Sequence, residues 1–284
     1  MSILQRAIQK SLNEKLAEDK RKADGQPVTP VLPAEQFDAN KSDRIDIDFN
    51  ALQKLGFLNP FLPSIGLSEQ YRYIKRPLLA NAFPEADNGI KNRNLILVTS
   101  SLPKEGKTYT SLNLALSMAM EKGKKVLLVD GDVAVPSIAR LLGISEQRPG
   151  LIDLLDGKVA TINQILLHTN VPGFSVIPSG NTHSYSTELL ASNMMKKLTH
   201  DLSTRYSDRI VIFDSPPVLA ASQASILAQL VGQVVMVVEA EATPQTVVQD
   251  ALEKVDSCDV VGMLLNKSVS GKGNGSYYYG SYYG

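Results

Sequence analysis

Cysteine is almost missing from this sequence. A single one, Cys258, stands among 284 residues, which excludes an internal disulfide framework and suits a reducing compartment. Histidine is nearly as scarce. His168, His183 and His200 are scattered, and with one cysteine they form no cluster at zinc spacing. No apolar run is long enough to cross a bilayer, and the N-terminus lacks the hydrophobic region of a signal peptide. A soluble, cytoplasmic chain is therefore expected, with any membrane association left to a partner or to an amphipathic surface. Charge of one sign is also lacking: 29 basic and 29 acidic side chains give a formal net charge of zero, so no global field recruits nucleic acid or an anionic membrane. Apolar residues, at 43%, are enough for a full core.

The first twenty residues read as a helix, with Ile3, Leu4, Ala7, Ile8, Leu12 and Leu16 forming an apolar stripe. Mixed charges and no aromatic anchor favour a protein partner over lipid. Residues 22–32, with Gly25, Pro27 and Pro30, then read as a linker. After a short alternating piece, Ile45-Asp46-Ile47-Asp48-Phe49, a stretch punctuated by Pro and Gly runs to about Gly66. Ser68 is a candidate N-cap for a second helix carrying Glu69, Arg72 and Lys75 along one side.

From Asn94 the pattern changes. Apolar, β-rich runs at 95–99, 125–130, 175–178, 210–214, 234–239 and 260–266 alternate with helix-length segments. Runs that are apolar throughout suit strands buried on both faces, so a doubly wound, mostly parallel α/β sheet is predicted. The end of the chain is different in kind. Residues 268–284 hold no acidic side chain and five of the ten tyrosines: Tyr277, Tyr278, Tyr279, Tyr282 and Tyr283. With no periodic apolar face, that stretch reads as a disordered tail. Three parts follow: an N-terminal helix and linker at 1–66, an α/β domain at 67–267 and the tail at 268–284.

The chemistry starts after the first buried strand. Ser101-Leu102-Pro103-Lys104-Glu105-Gly106-Lys107-Thr108 is close to the phosphate-loop pattern G-x-x-x-x-G-K-[ST], with serine in the first glycine position. Such a loop wraps backbone N–H groups around phosphates at a helix N-terminus, where the dipole favours anions. Pro103, Lys104, Glu105, Gly106, Lys107, Thr108 and Tyr109 are the candidate nucleotide-binding residues. Lys107 would reach the β- and γ-phosphates and the Thr108 hydroxyl would ligate Mg²⁺.

Two other strands end in carboxylates, Asp130-Gly131-Asp132 and Asp214-Ser215-Pro216-Pro217. Ligands in open α/β sheets sit outside the carboxyl ends of the strands, so all three aspartates can face the nucleotide. Asp214 reads as the Walker B carboxylate that holds Mg²⁺. Asp130 and Asp132 could orient the nucleophile or take its proton; a strand-end aspartate that only caps the following helix is the plainer alternative for either alone.

Taken in order, these motifs resemble the bacterial tyrosine kinases, the P-loop tyrosine autokinases of capsule and exopolysaccharide loci. The resemblance runs from about Leu67 to Gly284 and includes Glu188-Leu189-Leu190, Gly262-Met263-Leu264-Leu265-Asn266 and the terminal tyrosines. The opening Met1-Ser2-Ile3-Leu4-Gln5-Arg6-Ala7-Ile8 is similar to the stand-alone kinases whose membrane-spanning activator is a separate protein. The resemblance implies a P-loop fold of the deviant-Walker type and ATP with Mg²⁺ as cofactors. It implies catalytic roles for Lys107, Asp130, Asp132 and Asp214, and metal contacts from Thr108, Asp130 and Asp214. It also implies an adenine contact from Asn266 and phosphorylation in trans of Tyr277, Tyr278, Tyr279, Tyr282 and Tyr283. Glu69, Arg72 and Lys75 would mediate assembly of a homo-oligomeric ring, recruited to the inner face of the membrane by a polysaccharide co-polymerase; no nucleic acid is expected as a partner.

Two departures are visible. Val133-Ala134-Val135-Pro136 stands where the family has a basic residue, and Gln223 stands where it often has an acid. Two other readings remain: a switch ATPase of the septum-positioning or partition type, and an ATP-binding scaffold of weak activity. The first would carry a lysine at Leu102 and leaves the tyrosines unexplained.

Overall fold

The computed structural model describes residues 43–268 apart from positions 63, 182 and 207. The helix expected in the first twenty residues, the linker at 22–32 and the tyrosine tail lie outside the described residues.

Eight strands form one sheet: β1 (Asp43–Ile45), β2 (Leu95–Ser100), β3 (Lys125–Asp130), β4 (Leu167–Thr169), β5 (Phe174–Ile177), β6 (Arg209–Asp214), β7 (Gln233–Glu239) and β8 (Val260–Asn266). Their order across the sheet is β1-β4-β5-β3-β6-β2-β7-β8. Every pairing is parallel except β4 with β5. The mostly parallel, doubly wound α/β fold predicted from the sequence is thus present, with the six predicted strands in place to within a residue at each end. Two were not predicted. At three residues each, β1 and β4 are too short to show a period, and only their neighbours define them.

The buried strands alternate between two cores because successive side chains point to opposite faces. Leu95, Leu97, Leu127, Val129, Val211, Phe213, Val234 and Met236 face one side. Ile96, Val98, Val126, Leu128, Ile210, Ile212, Val235 and Val237 face the other. Two helices cover the second face: α2 (Ile65–Ala82) and α3 (Lys107–Ala119), with α1 (Phe49–Lys54) beside them. Short α4 (Ile138–Leu141) follows β3 and adds Ile138 and Ala139 to the same core. The first face is covered by α5 (Leu151–Leu155), α6 (Ser186–Leu190), α7 (Asn193–Thr204), α8 (Ser222–Ala228) and α9 (Gln245–Glu253).

Toward the N-terminus the core reaches beyond the expected start at 67. Phe49, Leu52, Phe57 and Leu58 are buried in it, and β1 is hydrogen-bonded to β4. The alternating run at 45–49 is only partly strand, because Asp48 starts α1 by accepting the N–H groups of Asn50 and Ala51 at 3.0 Å. Helix α2 also begins earlier than expected. Ser64 takes the N-cap position with an extended backbone, leaving Ser68 inside the first turns. The two serines are equivalent as caps, so local preference could not choose between them.

Candidate active site

The C-terminal ends of β2, β3 and β6 lie side by side, with Asp130 directly opposite Asp214 in the parallel register. That placement follows from the strand order: β6 inserts between β2 and β3, so the phosphate loop after β2 meets the acidic ends of the next two strands. The loops are joined tightly. Gly131 N–H donates to the Asp214 carbonyl at 2.7 Å, and a Cβ at Gly131 would meet that oxygen at 2.8 Å.

The phosphate loop runs from Ser101 to Gly106 and opens directly into α3. Gly106 holds φ at +99° and Lys104 at +70°, left-handed values that turn the backbone around a concavity. A thirteen-residue helix then presents its unpaired N-terminal N–H groups to the same space. Ser101, in the usual glycine position, is fully buried with its hydroxyl against Met236.

Lys107 Nζ sits 2.7 Å from Asp132 Oδ2, and only 13% of the lysine and 4% of the aspartate side chain are exposed. Thr108 donates its hydroxyl to Asp214 Oδ2 at 2.8 Å, and Ser111 donates to Oδ1 of the same carboxylate at 2.8 Å. Ser111 escaped the sequence reading. Its signal was available, since a residue three positions after Thr108 lies on the same side of the helix.

Asp214 is fully buried, and burial pushes its carboxyl up to about 6 against the opposing pull of Lys107 and the two hydroxyls. Asp130 is raised further, to about 8, by burial first and then by the charge of Asp214. Its oxygens are already engaged by backbone N–H groups of Asp132 (3.2 Å), Ser137 (3.2 Å) and Ile138 (3.1 Å). In this conformation Asp130 organises the loop into α4, whereas Asp132 faces Lys107.

The nucleotide-binding residues expected from the motif are therefore close together, but their side chains divide. Pro103 and Lys104 are exposed; Glu105 turns inward and is 1% exposed. Tyr109 sends its hydroxyl to the Gly56 carbonyl at 2.8 Å and packs its ring on Phe57, so its side chain braces the N-terminal segment. Asn266, at the end of β8, donates its amide to the Glu105 carbonyl at 2.8 Å. Exposed Glu69 and Arg72 form an ion pair at 2.6 Å on the surface of α2. Lys75 parts from them: it is buried, with Nζ 2.7 Å from both the Ser117 carbonyl and Glu121. Val135, in the segment where the family has a basic residue, is exposed, and Gln223 donates to the Thr187 hydroxyl at 2.9 Å.

A hard divalent cation fits this donor set. Thr108 and Asp214 put a hydroxyl and a carboxylate oxygen 2.8 Å apart, and Mg²⁺ takes few protein ligands, completing its shell with water and phosphate. No group of three or more His, Cys, Asp or Glu side chains converges to form an all-protein cage among the described residues.

Residues 103–267 match the family model described as an AAA domain. The chain is 32% identical over 216 residues to the tyrosine-protein kinase YwqD of Bacillus subtilis, covering 75% of this chain and 86% of that one. It is 34% identical over 183 residues to the putative tyrosine-protein kinase AmsA of Erwinia amylovora, 64% of this chain but only 24% of that longer protein. The solved kinase domain of VpsO superposes with a TM-score of 0.56 at 33% identity, covering 70% of this chain and 98% of that domain. The phosphate loop, its two acidic partner strands and these likenesses agree, and the chain belongs to the family of bacterial tyrosine-protein kinases.

Proposed function

We propose that this kinase transfers the γ-phosphoryl group of ATP to tyrosines in its own C-terminal segment, acting in trans within a ring of identical subunits. The observation that supports it most is the double pairing at the start of α3: Lys107 with Asp132, and Thr108 with Asp214.

The chain's own groups have distinct tasks in this reading. The loop amides and Lys107 bind the phosphates; Thr108 and Asp214 hold Mg²⁺. When bound, Mg²⁺ neutralises charge on the β- and γ-phosphate oxygens. As Lys107 turns to the phosphates, it releases Asp132 Oδ2, which becomes free to accept the proton of the incoming tyrosine hydroxyl. The tyrosine oxygen bonds to the γ-phosphorus, the bond to the β–γ bridging oxygen breaks, and ADP leaves. Positioning and charge neutralisation carry the rate. Asp130 holds the loop that carries Asp132. Asn266 keeps its amide on the phosphate loop and leaves its carbonyl oxygen for the exocyclic amine of adenine.

Tyr277, Tyr278, Tyr279, Tyr282 and Tyr283 are the proposed acceptors. Each phosphate adds about −1.5 to −2 charge, so modified tails repel one another and the acidic centre and dissolve the ring. Glu69 and Arg72 lie on an open face of α2 suited to subunit contact. No helix among the described residues is long and apolar enough to cross a membrane. A separate membrane-spanning co-polymerase would recruit the kinase and link it to exopolysaccharide export.

Intact-mass spectrometry after incubation with MgATP tests the proposal, with Lys107→Met as control. Stepwise phosphate additions mapped to the terminal tyrosines, and absent in the variant, are expected. ATP hydrolysis with no modified tyrosine would refute it and favour a switch ATPase.

A further inference from the structure

Among the described residues, four that are not glycine hold a positive φ: Asn92, Lys104, Glu241 and Lys267. Two of them, Lys104 and Lys267, are joined by a hydrogen bond at the phosphate loop. Such backbone is costly for L-residues and persists where surrounding contacts impose it.

Those contacts centre on Glu105. Its Oε2 accepts the Leu102 N–H at 2.7 Å, closing the phosphate loop on itself. Its Oε1 accepts the Glu239 N–H at 3.3 Å and the Thr243 hydroxyl, both from the end of β7 and the turn before α9. The neighbouring carbonyls are bound as well. Asn266 donates to the Glu105 carbonyl, and Lys267 Nζ donates to the Lys104 carbonyl at 2.7 Å while pairing with Glu239 Oε2 at 2.8 Å. The buried carboxylate of Glu105 therefore ties the phosphate loop to the turn after β7, while the backbone carbonyls of Glu105 and Lys104 tie it to the end of β8.

A carboxylate in a phosphate loop repels the phosphates if it points at them, and this one does not. It is an acceptor-only group surrounded by donors, with its charge turned away from the concavity. We infer that Glu105 is a positioning residue, which holds the loop amides in their phosphate-binding arrangement before ATP arrives. The inference rests on the proposed ATP-binding reading. It extends that reading from the groups that touch the nucleotide to the one that orders them. It also makes the loop continuous, through Asn266 and Lys267, with the strand end from which the tyrosine segment departs.

Affinity for ATP and kcat on a tyrosine-containing peptide supplied in solution separate this role from a general loss of fold. Glu105→Gln keeps the volume but sets an NH₂ against an N–H or hydroxyl donor. ATP Kd and KM are expected to rise about tenfold, with kcat at saturating ATP within about twofold of the parent. Thr243→Val removes one donor and weakens ATP in the same manner, whereas Thr243→Ser keeps the hydroxyl and the affinity. Because the two residues share one of the carboxylate's hydrogen bonds, Glu105→Gln with Thr243→Val should lose less than the sum of the single losses. Should Glu105→Gln fail to fold, the contrast between Thr243→Val and Thr243→Ser carries the test. Parent-like affinity in Glu105→Gln, or fully additive losses, would overturn the inference. Lys107→Met separates the two readings: parent-like ATP affinity there would sink phosphate binding at this loop, on which the inference rests, while weakened Lys107→Met beside unaffected Glu105→Gln sinks only the role of Glu105.

Discussion

Replacing Lys107 by methionine should damage stability as well as chemistry, and the two losses can be separated. In the free protein Lys107 neutralises Asp132, a carboxylate with 4% of its side chain exposed. Removing one partner of a buried pair costs about 3–5 kcal/mol, because the other charge is left without compensation. Here the cost is smaller. Asp132 Oδ1 still accepts the Val135 N–H at 3.0 Å, and Lys107 retains some exposure in the parent, so about 2–3 kcal/mol is the expected loss. For a domain of this size that lowers Tm by roughly 5–10 °C. A second change, Asp132→Asn, removes the stranded charge and should return most of the stability without returning activity. Urea titration at pH 7, paired with the mass assay for phosphotyrosine, reads both quantities. If Lys107→Met is as stable as the parent, or Asp132→Asn restores nothing, the ion pair is not what balances Asp132, and the proposed release of Asp132 by ATP loses its basis.

Three other outcomes follow from the same geometry. Burial holds the carboxyls of Asp214 and Asp130 above their unfolded values, at about 6 and about 8, so the folded state binds more protons than the unfolded state between roughly pH 4 and 8. The stability contributed by these groups is complete below the unfolded value and is lost as pH rises through the folded ones. Mg²⁺ requires the opposite, an ionised Asp214, so metal-dependent ATP affinity should fall up to about tenfold per pH unit below 6; a flat urea midpoint together with flat affinity from pH 5 to 8 would contradict the assignment. Gly106→Ala puts a Cβ 2.1 Å from Asn266 Nδ2 on a backbone at φ +99° and should cost about 2 kcal/mol or more as well as ATP affinity; adding Asn266→Ala relieves the clash but not the backbone, so denaturation should show partial recovery. Glu69→Ala with Arg72→Ala removes an exposed pair worth about 0.3–0.5 kcal/mol, leaving the monomer's unfolding curve nearly unchanged, whereas light scattering should show smaller assemblies if that face joins subunits.

Much of this kinase was legible in the order of its residues. The apolar runs at 95–99, 125–130 and 210–214 are buried on both faces, so composition alone identified them as strands, and the acids that end the last two marked the ligand end of the sheet. Lys107 and Thr108 were recognisable because a strand, a glycine-bearing turn and a helix must follow one another within a few residues for phosphates to be wrapped by backbone. These are local constraints, written locally. The separate duties of Asp130 and Asp132 were not legible: two residues apart, both end a buried strand, and only the path of the loop into α4 shows that one is taken by backbone N–H groups while the other faces Lys107. Lys75 is a similar case, spaced for the surface yet drawn under α2 by the Ser117 carbonyl and Glu121. Glu105 is the clearest. Its partners Glu239 and Thr243 lie more than 130 positions away, brought to it because β7 pairs beside β2. Periodicity and motif spacing report what a chain does within a few residues; which distant loop closes on a buried carboxylate is decided by strand order, and strand order exists only in the folded sheet.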